Sequence, residues 1–115
     1  MSNSKDYNSL FLFSPLPNWV YDVNTFEILD VNQSAIDHYG YNRDEFLSMT
    51  IKDLRPKSEI PKVIAAHSNI ETHRGNIYFG IYTHQKKNGT LIRVEINGHH
   101  VDFQGRKCIM VICQD

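Results

Sequence analysis

The chain has 115 residues, 41% of them hydrophobic and 11% aromatic, enough for one core and too few for two. Twelve Lys and Arg against thirteen Asp and Glu give a net charge of −1; no basic face is supplied, so nucleic acid is excluded as a partner. The longest apolar run, Ile109 to Cys113, is far too short to span a bilayer, and Met1 to Asp6 lacks the order of a signal peptide. The expectation is one cytoplasmic domain, 1–115, without membrane contact.

From the N-terminus, Tyr7 to Phe13 is a short apolar segment stopped by Pro15 and Pro17. It reads as a helix or arm over 1–13, outside a core of 17–115. Trp19 to Val23 and Phe26 to Val31 are rich in strand formers, and Asn24-Thr25 between them makes a hairpin. Asn32 is placed to cap a helix over Gln33 to Tyr39, ended by Gly40. Its structural role as a cap is favoured over a switch or ligand contact. Asn42 with Glu45 three residues on predicts a capping box and a short helix through Ser48. A further turn covers Ile51 to Leu54. A longer helix is predicted from Ser58 to Thr72, with Ile60, Val63, Ile64 and Ile70 on its apolar stripe and His67 near the middle of it.

After Gly75 the period changes to two. Asn76 to Gln85, Thr90 to Val101 and Lys107 to Gln114 read as strands, joined by turns at Lys87-Asn88-Gly89 and Phe103-Gln104-Gly105. The last strand is apolar on both faces, Ile109, Val111 and Cys113 on one and Cys108, Met110 and Ile112 on the other. Such a strand needs cover on both sides: helices on one, the N-terminal segment or a second chain on the other. Strands segregated from helices in this way predict an α+β domain, an antiparallel sheet with helices on one face. Cys108 and Cys113 lie roughly 16 Å apart in extended chain, too far for a disulfide, and they lack metal-site spacing. They read as buried thiols.

Three stretches together resemble the PAS domain, the sensory box of bacterial signalling proteins. They are Ser14 to Asp22; Ile28 to Ala35 with Tyr39 to Leu47, a strand ending Asp-Val-Asn before a helix and a Gly-Tyr turn; and Lys86-Lys87-Asn88-Gly89-Thr90. The resemblance runs from Leu10 to Asp115. It implies a five-stranded antiparallel sheet in the order 2-1-5-4-3, with helices enclosing a cavity. It also implies an excised sensor domain whose full-length protein carries a histidine kinase or diguanylate cyclase output, as in two-component systems.

Trp19, Tyr21, Tyr39, Phe46, Ile64, His67, Phe79, Ile81, Val94 and Ile96 are the candidate cavity residues; the same set equally suits a packed core. No cofactor is the first expectation. The resemblance adds one alternative, haem ligated through His67, although the residues around His67 do not closely match the haem-binding pattern. Covalent flavin chemistry is excluded, since Leu47 to Arg55 has no cysteine. His99 and His100 face opposite ways and do not share an ion. His38, His73 and His84 show no metal-ligand spacing, and no catalytic motif is present.

The expected function is therefore a noncatalytic sensory module. It binds a small ligand or a partner and relays a change through the last strand to a C-terminal output domain. The alternative is a ligand-free dimerisation domain, pairing through Leu10, Phe11, Phe13 and the outer face of the sheet.

Overall fold

The computed structural model describes Phe11, residues 14–70 and residues 75–115. Strands β1 (Asn18–Asp22), β2 (Ile28–Val31), β3 (Asn76–Gln85), β4 (Leu91–Phe103) and β5 (Arg106–Gln114) form one antiparallel sheet in the order β2-β1-β5-β4-β3. Helices α1 (Gln33–Tyr39), α2 (Arg43–Leu47) and α3 (Ile60–Ala66), with 3-10 turns at Ile51–Leu54 and Lys57–Glu59, lie between β2 and β3 in the chain. The α+β class and the strand order are those the resemblance implied.

Local chemistry accounts for most element ends. The Asn32 side chain accepts from Ala35 N to open α1, and Gly40 closes it at φ 87°. Asn42 and Glu45 form the reciprocal capping box of α2. Gln104 and Gly105, at φ 52° and 73°, make the two-residue β4–β5 turn, whose twist matches that of the flanking strands.

Several element boundaries shift from the sequence reading, most by a residue or two, and two of the differences have a cause in the side chains. The second strand begins at Ile28 rather than Phe26, because Phe26 is left-handed at φ 67°. The Asp22 carboxylate accepts from Asn24 N at 2.6 Å and Thr25 N at 3.0 Å, and Phe26 N donates to Asp22 O, so a wider turn replaces the tight one. The predicted helix over 58–72 is also shorter: α3 stops at Ala66, and His67 is its C-cap. The His67 ring Nδ1 takes the Val63 carbonyl at 2.7 Å, the acceptor a continuing helix would offer to the backbone N–H. That N–H turns instead to Ile64 O at 3.1 Å, tightening the last turn. Residues 71 and 72 lie outside the described residues.

The main core sits between the inner sheet face and the helices, built on Trp19, Tyr21, Tyr39, Phe46, Ile109 and Val111. On the outer face Phe11, 4% exposed, packs with Val20 and Cys108. Cys108 and Cys113 are both free and buried.

Candidate functional site

Under the middle of the sheet lies a cavity of about 30 Å³. Trp19 and Tyr21 of β1, Phe79 and Tyr82 of β3, Ile96 of β4 and Val111 of β5 form its sheet side. Ile51, Arg55, Val63 and His67 close it from the helical side. Its walls thus come from β1, β3, β4, β5, α3 and its C-cap, and the turn at Ile51–Leu54 with Arg55 after it.

His67 is the most connected polar group at the cavity. A carbonyl only accepts, so Nδ1, bonded to Val63 O, carries the ring proton; Nε2 then accepts from the Tyr21 hydroxyl at 2.6 Å. The ring stacks on Phe79 at 5.4 Å and meets Phe26 edge-on at 4.8 Å. Burial, with a smaller contribution from the Arg55 charge, lowers its pKa below the usual histidine value. Burial raises the Tyr21 hydroxyl well above the usual tyrosine range. The pair is therefore neutral at pH 7, with one internal hydrogen bond across the cavity wall.

Arg55 is the charged group of the site. It is 7% exposed, its Nε donates to Ile51 O at 3.1 Å, and its guanidinium lies 5.6 Å from the Tyr82 ring centre. Among the described residues no carboxylate forms an ion pair with it.

Of the ten residues singled out from sequence, Trp19, Tyr21, His67, Phe79 and Ile96 line this cavity. Tyr39, Phe46 and Val94 are buried in the adjoining core, where the Tyr39 hydroxyl and His84 Nδ1 are hydrogen-bonded at 2.7 Å. Ile64 and Ile81 do not belong to the cavity; they are 51% and 46% exposed. Ile64 lies on the outer side of a helix too short to present the predicted stripe. Ile81 is displaced by a bulge: Tyr78 pairs with Asn97 and Gly80 with Ile96, leaving Phe79 as an extra residue. Beyond it the inward positions are Tyr82 and His84, and Ile81 points outward.

The same bulge hides Tyr82 from an alternation argument. Arg55 escaped for another reason: it precedes Pro56 on extended backbone, φ −149° and ψ 161°, where no periodicity reports side-chain direction. Val63 and Val111 were legible as apolar positions of a helix and of the last strand, and Ile51 only as the start of a turn, none of them as cavity wall.

Haem does not fit these residues as arranged. Both ring nitrogens of His67 are committed, and the cavity has room for about two water molecules. Among the described residues no group of three His, Cys, Asp or Glu side chains is placed to hold a metal. Burial pushes the Cys113 thiol up to about 12, which leaves it protonated and inert at neutral pH.

Five antiparallel strands in the order 2-1-5-4-3, with short helices packed over a small cavity, define an α+β domain class. The chain belongs to the PAS domain family, whose model matches residues 17–115. It is 28% identical over 88 residues to a methyl sulfide methyltransferase-associated sensor of Methanosarcina acetivorans, covering 76% of this chain and 8% of that protein. The chain thus spans only a small part of that relative. A domain of a sensory box sensor histidine kinase/response regulator from Geobacter sulfurreducens is 26% identical, with a TM-score of 0.81 over 97% of this chain and 93% of that one. The PAS domain of an HTR-like protein from Haloarcula marismortui shares the fold, at 22% identity and a TM-score of 0.78 over 97% of this chain and 90% of that one. PAS domains are generally sensory and noncatalytic, which gives this chain a signalling sensor role. No helix among the described residues is long and apolar enough to cross a membrane.

Proposed function

We propose that this domain senses a small molecule held in the cavity between Tyr21, His67, Phe79 and Val111, and relays its presence along β5. The observation that supports this most is that a residue of the central strand is part of the cavity wall. Val111 lines the cavity, and β5 pairs with both β1 and β4 along its length. A ligand that alters the packing beneath Val111 shifts the strand that leads to Gln114 and, in a longer protein, to an output domain. Such a relay works only by binding one of two states more tightly. The Tyr21–His67 hydrogen bond is the internal contact that a ligand would replace.

Native mass spectrometry of the protein freshly purified from cells tests this. A stoichiometric adduct is expected, absent from a Val63→Phe variant that fills the cavity. An adduct of equal occupancy in the filled variant would place the ligand elsewhere and contradict the reading.

A second reading, homodimerisation, draws on the outer sheet face. Tyr78, Ile81, Leu91 and Ile112 are large apolar side chains exposed there. Of the predicted dimer contacts, Phe11 is already covered within the chain, and Leu10 and Phe13 lie outside the described residues.

A further inference from the structure

Arg55 raises a question that the cavity's apolar walls do not answer. Its side chain is more than nine-tenths buried, lines the cavity, and uses Nε for one backbone carbonyl. The neighbouring carboxylate Asp53 is occupied in its own turn, accepting from Thr50 N at 2.9 Å. Lys62 lies outside the cavity: it is exposed, its Nζ donates to Ile81 O at 2.6 Å, and it approaches the Tyr82 ring at 4.4 Å. A mostly buried guanidinium without a counter-charge is unfavourable unless water or an anion in the cavity compensates it. Tyrosine faces supply part of that compensation. The planar fork of Arg is shaped for two oxygens of one anion.

We infer that the cavity's ligand is a small planar monoanion, of formate to acetate size, bound by the Arg55 guanidinium. The inference rests on reading the cavity as the ligand site. Size favours a small ligand: about 30 Å³ takes about two water molecules, the room of one carboxylate and a methyl group. The Tyr21 hydroxyl, on the same wall, supplies a second donor by rotating away from His67 Nε2. Neutral molecules of the same shape accept one hydrogen bond but leave the guanidinium charge uncompensated, so the site discriminates by charge.

The test is a titration of the ¹⁵N-labelled 115-residue chain with sodium formate and acetate against formamide and acetamide. Ionic strength is held constant with sodium chloride. The Arg55 Nε–H resonance and the amides of Tyr21, His67, Phe79 and Val111 are followed. Saturable shifts are expected with the anions, at least about tenfold tighter than with the amides. Arg55→Gln should weaken anion binding by at least about tenfold, a loss of the size a charge-assisted hydrogen bond supplies, and Arg55→Lys less. Amides binding as tightly as anions, or undiminished anion binding in Arg55→Gln, would overturn the monoanion while leaving the cavity as a ligand site. No shift at the cavity with either series would overturn both. If Arg55→Gln does not fold, the anion-to-amide ratio in the unaltered protein decides.

Discussion

Asn32 shows how much one side chain can do in a domain this small. Its Oδ1 accepts from Asn18 N at 2.9 Å and Ala35 N at 3.1 Å, while Nδ2 donates to Phe11 O at 3.0 Å and Leu16 O at 2.9 Å. It caps α1, and in the same place it ties β1 to the segment that precedes it. An exposed cap is worth about 1 kcal/mol, but a buried polar group stripped of its partner costs about 1–3 kcal/mol. Asn32→Ala is therefore expected to lose about 3 kcal/mol in urea denaturation, and the exposed cap change Asn42→Ala about 1 kcal/mol. Equal losses would reduce Asn32 to an ordinary cap. His84 is the corresponding weak point. It is wholly buried, its Nε2 has no hydrogen-bond partner among the described residues, and burial, with a smaller push from Arg55, holds its pKa well below the usual value. His67 is shifted the same way. Below about pH 6.5 the unfolded chain takes up protons that these two rings refuse in the fold, so stability falls as pH drops toward their folded-state values. Asp22, Glu27 and Glu45 are lowered from already acidic values, so their contribution fades only at lower pH. Melting temperature should fall between pH 7.5 and 5.5, and less in His84→Phe; an unchanged slope in the variant would clear His84.

At the scale of elements, β3 and β4 meet under one tight constraint. A Cβ at Gly98 would come within 2.8 Å of Phe79 Cε2 and 2.9 Å of Ile109 Cγ2, closer than such atoms tolerate. Gly98→Ala should push the Phe79 ring toward the cavity, cost about 1–3 kcal/mol as overpacking, and weaken ligand binding. A stable variant with full ligand occupancy would show that the ring has room to move. This constraint also marks the limit of what the sequence disclosed. Alternation and turn chemistry located all five strands, because the Asn-Gly and Gln-Gly turns and the two capping asparagines act through neighbours in the chain. The bulge at Phe79 depends on pairing with β4, and it reversed the inward face for Ile81 and Tyr82. The end of α3 likewise depends on a ring that closes on Val63 and on Tyr21, a residue far away in the chain. About half of the proposed cavity was legible for that reason. Aromatic residues on β1 and β3 declare themselves by type, whereas Arg55 looks like an ordinary surface arginine until the fold buries it.

The whole molecule presents two faces with different roles. The inner face is packed around the cavity, and the outer face is covered at Phe11 while Tyr78, Ile81, Leu91 and Ile112 remain open. PAS domains of sensor kinases often dimerise. If this face is the contact, Ile81→Lys with Ile112→Lys gives a monomer by light scattering without lowering stability, since both positions face solvent. A dimer that persists would place the contact elsewhere. In the proposed function the cavity and β5 form one unit, so that filling the first is felt along the second. Amide hydrogen exchange of the 115-residue chain, with and without saturating acetate, tests this most directly. Slowed exchange at the cavity wall that continues along β5 to Gln114 is the predicted result. Protection confined to Tyr21, His67 and Phe79, with β5 unchanged beyond Val111, would contradict it.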